Sequence, residues 1–461
     1  MTLTTSAPSL TRGTGHVVVL DAFVRRSSAI LLALSLGLVT WWWADGNGVT
    51  DLNGWATGLT SLGRLTGLLA SLLLLVQVLL MARLPSLEQA FGQDRLARLH
   101  RLVGFSSFNL MLAHLGLISW GYAAGSLSGL PATFWQLTLT YPGMLLALAG
   151  TIALCLVVVT SIRAARSALR YESWHLLHLY AYLGVGLALP HQLWTGQEFL
   201  ASPGRTVFWW GLWAAAALSV VIFRVLVPLW RSRRHQLRVT SVVEEGDGVF
   251  SVYLTGHRLD RLRVRAGQFL HWRFLAGPGW SRAHPYSLSA APDGRSLRIS
   301  VKRAGDGSSE LAHVRPGTPV LVEGPYGRLS ERARSRHKVL LIGAGVGVTP
   351  LRALAEGLDY EPGDATLLYR YRDEPLFVEE LQQLRSERGL QVVGLPGRRR
   401  RSSWLPVGAG HDLDVLRQLV PDVAQRDVFI CGPDVWAGQV RRTLEQAGCP
   451  RRNIHVESFG W

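Results

Sequence analysis

LHRLVGFSSFNLMLAHLGLISW, residues 99–120, and WHLLHLYAYLGVGLALPHQLW, residues 174–194, are two apolar runs that each carry histidines at a wide, regular spacing. Each is close to the roughly 20 helical residues that cross a hydrocarbon layer. Ionisable side chains are costly there, so each is a functional candidate. His100 and His114 are 14 positions apart (114 − 100). At about 100° per residue that is about 1400°, about 40° short of four full turns, so the two share a face and stand about 21 Å apart along the axis. His178 and His191 are 13 apart (191 − 178), again nearly collinear. If the two helices run the same way, His100 faces His178 at one level and His114 faces His191 at the other. Two opposed imidazole pairs are the axial ligand sets of two bis-histidine, b-type haems, which leave no open iron position for dioxygen. The plainer reading, polar residues satisfied within a bundle, explains any single histidine more easily than four at matched spacings. His175, three residues before His178, is an alternative ligand or a contact for a haem propionate.

The first half of the 461 residues contains six apolar runs of spanning or near-spanning length, at 27–44, 58–82, 99–124, 141–162, 173–194 and 205–228. An even number returns the chain to its starting side. Arg25 and Arg26 and the basic clusters within 83–101, 163–170 and 231–234 all fall on one side of such a bundle, whereas the loops at 45–57, 126–140 and 197–203 hold few positive charges. The positive-inside rule then puts the N-terminus and everything after Trp230 in the cytoplasm, in a multi-pass protein of the cell membrane. The same clustering accounts for the net charge of +16 without nucleic acid as a partner. Three cysteines, Cys155, Cys431 and Cys449, are too few for a disulfide framework or a thiolate-bound cluster, so histidine must hold any metal. The first apolar stretch follows Arg25 and Arg26 without a small-residue cleavage site behind it, and reads as a membrane helix rather than a signal peptide. Arg64 reads as a snorkelling interfacial arginine or as a neighbour of the outer haem, and Gln77 as a helix–helix hydrogen-bonding residue.

Beyond Arg234 the texture becomes that of a soluble fold. Short alternating strands at 236–243, 249–254, 269–274 and 296–302 predict an antiparallel β-barrel over 235–333. In SRAHPYSLSAAP (281–292), an aromatic beside a hydroxyl residue suits the face and edge of an isoalloxazine ring. In VKRAGDGSSELAHV (301–314), Gly307, Ser308 and Ser309 open a short helix whose amides suit a pyrophosphate. From 337 to 461 the order strand, glycine loop, helix predicts an α/β nucleotide-binding domain. The strand 338–342 enters GAGVGVTPLRAL, where Gly343, Gly345 and Gly347 permit close backbone approach and Pro350 suits a first helical turn. The next strand, 366–369, ends at Arg370 and Arg372, where an NAD-selective fold carries an acid; arginine there favours a 2′-phosphate and hence NADPH, with NADH left open by Asp373 and Glu374. The run 398–401 with Ser402 is either a second phosphate clamp or a solvated basic loop. A last strand, 427–430, delivers Cys431, Gly432 and Pro433 to the rim where such sheets bind ligands.

Together these residues resemble the ferric reductase and NADPH oxidase family: a six-helix transmembrane bundle (27–230, after a cytoplasmic tail 1–26) joined to a ferredoxin-reductase-type FAD barrel and nucleotide domain. The resemblance spans nearly the whole chain, and the histidine spacings are its most specific part. It implies that His284, Pro285, Tyr286 and Ser287 form the flavin motif, with Tyr286 and Ser287 at the ring and His284 near the diphosphate. It implies further that Gly343 to Pro350, Thr349 included, is the nicotinamide-nucleotide loop, that Cys431-Gly432-Pro433 stands near the nicotinamide, and that Phe459, or Trp461 in its place, covers the flavin. Oxygen-reducing members carry an arginine on the second helix, a role open to Arg64, and a further histidine one turn past the outer ligand; here that position is Ile118. The activity implied is NAD(P)H-dependent electron transfer through FAD and two haems to a ferric chelate, dioxygen or a periplasmic acceptor. The alternatives are an electron-donor subunit for another redox protein and a haem-free nucleotide-binding transporter or sensor.

Overall fold

The computed structural model describes residues 13–162, 165–166, 171–277, 280 and 282–458. Its contacts divide the chain into Phe23–Val225 and a second unit of Leu226 onward with the segment before Phe23. The principal helices before Val221 are α1 (Gly13–Trp43), α2 (Trp55–Met81), α3 (Gln93–Tyr122), α4 (Met144–Ser161), α5 (Tyr171–Trp194) and α6 (Pro203–Val220). By length and composition, five stretches among the described residues can cross a membrane: Val19–Gly48, Trp55–Met81, Gln93–Tyr122, Met144–Ser161 and Pro203–His235. The 24-residue α5 is not one of them; His175, His178, His191 and Gln192 dilute its apolar character. Two further departures concern ends and loops: α1 begins at Gly13, inside the segment read as a tail, and an 11-residue helix, Leu130–Thr140, occupies the loop expected at 126–140.

Within the first unit α2 packs along α3, and α4 along α5. Lipid tails are as apolar as leucine, so helices in a bilayer associate by close packing and hydrogen bonds rather than by the hydrophobic effect. Small residues make that approach possible. A Cβ added at Gly121 would lie 2.8 Å from the Thr60 nitrogen, and one at Gly150 only 2.6 Å from the Gly184 carbonyl oxygen. Buried hydrogen bonds add to this contact: the Trp43 indole donates to the Ser61 carbonyl at 3.0 Å, and the Ser61 hydroxyl donates to the Gly48 carbonyl at 2.6 Å.

The second unit holds two three-stranded antiparallel sheets. One has β1 (Arg238–Gly246), β2 (Val249–Thr255) and β5 (Ser296–Lys302); the other has β4 (His284–Ser287), β3 (Phe269–Phe274) and β6 (Val320–Tyr326), each in that order. Isolated bridges Arg238–Pro319 and Leu288–Ile299 join them around one core that includes Phe250, Val252, Leu270, Trp272, Ile299 and Val322. A short helix, α7 (Asp306–Leu311), follows β5.

A five-stranded parallel sheet completes the unit, in the order β11 (Ile454–Ser458), β10 (Asp427–Gly432), β7 (Val339–Ala344), β8 (Ala365–Tyr371), β9 (Gln391–Pro396). Helices α8 (Val348–Gly357), α9 (Val378–Arg388) and α10 (Asp434–Gln446) cross between its strands. Strands β7 and β10 are both wholly buried, as their apolar runs at 339–342 and 428–431 require in a sheet covered on two faces. After β7 the chain turns to one side, to β8 and β9, while β10 and β11 lie on the other. The carboxyl ends of β7 and β10 therefore flank the point where strand order reverses, which is where open α/β sheets hold their ligands.

Candidate functional site

Four imidazoles meet in pairs inside the helical unit. His100 on α3 faces His178 on α5 with ring centroids 6.0 Å apart, and His114 faces His191 at 6.2 Å. Two iron–nitrogen bonds of about 2.0 Å, with about 1.1 Å from each ligating nitrogen to its ring centre, require roughly 6 Å. The spacing fits one iron between each pair. Of the two histidines near the start of α5, it is His178 whose ring faces His100, with the Trp174 ring 5.0 Å away.

The remaining ring nitrogens are engaged as well. Nδ1 of His100 lies 3.2 Å from the Gln77 carbonyl oxygen and Nδ1 of His114 lies 2.7 Å from that of Gly63. A carbonyl only accepts, so both rings carry their proton on Nδ1 and present a bare Nε2. On α5 the partners are hydroxyls: Thr195 Oγ1 at 2.6 Å from His191 Nδ1 and Ser161 Oγ at 3.3 Å from His178 Nδ1. The Thr195 hydroxyl donates its own proton to the His191 carbonyl at 2.7 Å, leaving a lone pair for Nδ1–H. Three of the rings are thus held in the tautomer a metal ligand needs, and the Ser161 hydroxyl engages Nδ1 of the fourth. Around the His114–His191 pair lies a cavity of about 440 Å³, also lined by Arg64, Asp51, Ser71 and Gln192. Arg64 is ion-paired with Asp51.

In the second unit, strand alternation decides what the flavin motif offers. His284 and Tyr286 project from one face of β4 with rings stacked at 5.8 Å and 9°, while Ser287 points to the other and is buried. Burial pushes the Tyr286 hydroxyl up to about 12, so it stays a protonated donor. His284 also borders α7: a Cβ at Gly307 would lie 3.0 Å from its Cε1. The motif and the Gly307-Ser308-Ser309 turn, distant in sequence, are therefore neighbours. Within that turn the Ser308 hydroxyl accepts from Ala304 and Gly305 nitrogens at 2.9 and 3.1 Å, and the Ser309 amide donates to the Gly305 carbonyl at 3.0 Å. Ser309 consequently serves the helix rather than an open anion cradle.

At the sheet's switch point, Gly347 rests on β10: a Cβ there would lie 2.3 Å from the Cys431 carbonyl oxygen and 3.0 Å from the Gly432 nitrogen. Gly345, at φ +54, has open space where its side chain would be. Gly343, next to last in β7, packs against α8, and Pro350 lies in the buried first turn of α8. Thr349 is buried with its hydroxyl donated to the Val346 carbonyl at 2.8 Å. Cys431 is fully buried, and burial together with the nearby Glu457 charge pushes its thiol well above the ordinary range. It is a neutral wall, and Pro433 caps α10 behind it. Arg370, next to last in β8, donates to the Gly397 carbonyl at 3.0 Å; its Nε is buried without a partner among the described residues, and burial and the nearby Arg399 charge lower its pKa. Arg372 is exposed beside Asp373 at 3.8 Å. Phe459 and Trp461 lie outside the described residues.

One group was not singled out in the sequence. Arg298 on β5 is buried and makes a double ion pair with Glu380 on α9, at 2.6 and 2.8 Å, tying the flavin-motif sheets to the nucleotide sheet. Arg352 on α8 reaches the same carboxylate at 2.5 Å. The brackets Ser161 and Gly63 were also invisible, the first because it is 17 residues from His178 and the second because it acts through its backbone; Thr195, one turn after His191, was legible by spacing.

Comparison with known proteins places these features. Residues 66–189 match the family described as ferric reductase like transmembrane component, an interval that includes His100, His114 and His178 and stops two residues before His191 (191 − 189). The ferredoxin reductase component of 3-ketosteroid-9-alpha-monooxygenase from Mycolicibacterium smegmatis is 33% identical over 245 residues, covering 49% of this chain and 65% of that protein. The flavohemoprotein of Vibrio cholerae is 32% identical over 200 residues, 40% of this chain and 48% of its own. The solved flavohem-like FAD/NAD-binding domain of nitric oxide dioxygenase from the same species aligns with 50% of this chain and all of its own length, at 26% identity and a TM-score of 0.39. The chain spans just under two thirds of the first of these relatives and about half of the second.

Proposed function

We propose that this chain, a ferric-reductase-like transmembrane component fused to a ferredoxin-reductase-type FAD/NAD-binding module, is a membrane oxidoreductase that moves electrons from cytoplasmic NADPH to an acceptor outside the cell. Its carriers are FAD and two b-type haems. The observation that carries this reading is the pair of imidazole gaps, 6.0 and 6.2 Å, with every Nδ1 already bonded. Six spans, with α5 as the fifth, put the N-terminus and the module on the cytoplasmic side.

Bound flavin supplies the exchange between a two-electron hydride donor and one-electron irons. The chain's own part is placement. His100 and His178 would hold one haem and His114 and His191 the other. Tyr286 and His284 offer a flat, proton-bearing face for the flavin, and the amides of Gly307 and Ser308 stand beside it for the diphosphate. Gly345 and Gly347 let a dinucleotide approach the backbone at the switch point, Cys431 and Gly432 wall the nicotinamide end, and Arg370 with Arg399 offers positive charge to a 2′-phosphate. The neutral Cys431 thiol neither attacks nor transfers a proton; Phe459 is assigned the flavin cover. The acceptor proposed is a ferric chelate or dioxygen; with two imidazoles facing each haem position, the chain would leave no open ligand site for that acceptor.

The test is anaerobic addition of NADPH to the purified full chain. Two bis-histidine haems per chain should become reduced, and outward turnover with ferric chelate should then be compared with superoxide formation. A chain that binds no haem, or whose haem stays oxidised under NADPH, would refute the assignment.

A further inference from the structure

The four braced imidazoles are not equivalent. The inner pair is held at the long end of the hydrogen-bond range, His100 at 3.2 Å from the Gln77 carbonyl and His178 at 3.3 Å from Ser161 Oγ. The outer pair is held at the short end, His114 at 2.7 Å from the Gly63 carbonyl and His191 at 2.6 Å from Thr195 Oγ1. The shorter contacts are the stronger hydrogen bonds. Two features keep the outer contacts short. Gly67 leaves no side chain beside His114, where a Cβ would come within 2.5 Å of Nδ1. Thr195 Oγ1 is fixed by its own bond to the His191 carbonyl at 2.7 Å, so it is oriented as an acceptor. The Ser161 hydroxyl is shared instead, with the Trp174 indole donating to it at 3.4 Å.

An imidazole whose Nδ1–H is pulled strongly becomes a more basic ligand, and a more basic ligand favours ferric over ferrous iron. Charge near the outer pair does not offset this, because the charged residues lining that cavity are coupled: Arg64 with Asp51, and Glu198 with Arg205. From this asymmetry we infer that the outer haem has the lower reduction potential of the two, and that Thr195 is the positioning residue that sets it. The inference rests on the haem-binding reading above. Its consequence is functional: the last carrier is a strong reductant that holds an electron only briefly, which suits delivery to acceptors of low potential such as chelated ferric iron.

The experiment is a spectroelectrochemical titration of the haem bands in the detergent-solubilised full chain, reading potentials rather than turnover. Wild type should give two one-electron waves. Thr195→Val should raise the lower wave and leave the upper in place, Thr195→Ser should restore the wild-type value, and Ser161→Ala should leave the lower wave unmoved. His114→Leu, which removes an outer ligand, supplies an independent check should Thr195→Val fail to accumulate: the wave that survives should be the upper one. If Thr195→Val moves the upper wave or neither, or if His114→Leu leaves the lower wave, the inference is wrong although the haems are present. A wild-type chain without a bis-histidine haem spectrum would instead overturn the haem reading itself.

Discussion

Gly67 on α2 lies against the imidazole of His114 on α3, so closely that a Cβ there would come within 2.5 Å of Nδ1 and 2.8 Å of Cε1. The ring cannot yield easily, because Nδ1 is bonded to the Gly63 carbonyl at 2.7 Å one turn away. Gly67→Ala should therefore displace the outer ligand without touching the inner pair. Haem stoichiometry should fall from two per chain toward one, measured by pyridine haemochrome against protein, while flavin content stays unchanged.

A second close approach governs the nucleotide site. With only 2.3 Å between a Cβ at Gly347 and the Cys431 carbonyl oxygen, Gly347→Ala must push the loop away from β10. Both contacts are backbone, so no side-chain rotation relieves the clash. Stopped-flow reduction of the flavin by NADPH should slow at least tenfold, with haem content and spectrum preserved.

Coenzyme choice should depend on Arg370. Its buried Nε lacks a partner among the described residues, and burial together with the nearby Arg399 charge lowers its pKa, an arrangement that a bound phosphate dianion would relieve. Loss of one charge-assisted hydrogen bond, worth about 1.5–3 kcal/mol, corresponds to about a 10- to 100-fold weakening. Arg370→Ala should raise the KM for NADPH by that factor and leave the KM for NADH nearly unchanged; equal effects on both would remove Arg370 from the 2′-phosphate site.

Stability should respond to acid through Asp427. This fully buried carboxylate accepts from the Ser335 and Arg336 nitrogens at 2.5 and 2.7 Å and from Asn453 Nδ2 at 2.7 Å. Burial alone would raise its pKa, but these bonds and His455 outweigh it and hold the group below its ordinary value of 3.8. A folded-state pKa below the unfolded one gives a contribution complete above that ordinary value and lost as pH falls through the folded one. Asp427→Asn should cost about 1–3 kcal/mol at neutral pH. In thermal melts, the gap between variant and wild type should narrow once the pH drops below about 4.

Periodicity alone located much of this molecule. The strands read at 269–274 and 296–302 coincide with β3 and β5, because successive side chains of a strand point to opposite faces and leave a period of two in the sequence. The histidine pairing was legible for the same kind of reason: a helix converts intervals of 13 and 14 into a shared face. Edges were harder. Strands β9 and β11 lie at the two edges of the parallel sheet, where a strand is buried less uniformly and its sequence signal is weaker.

The amino-acid order by itself determined which histidines share a helix face, where charge gathers, and that strand, glycine loop and helix follow one another after residue 337, since all of these are local properties of spacing and polarity. Tertiary structure alone decided that His178 rather than His175 faces His100, that Ser309 serves its own helix, that Arg298 reaches Glu380, and which Nδ1 bonds are short. Those outcomes depend on backbone carbonyls and on residues brought together from distant segments, and a carbonyl has no letter in the sequence.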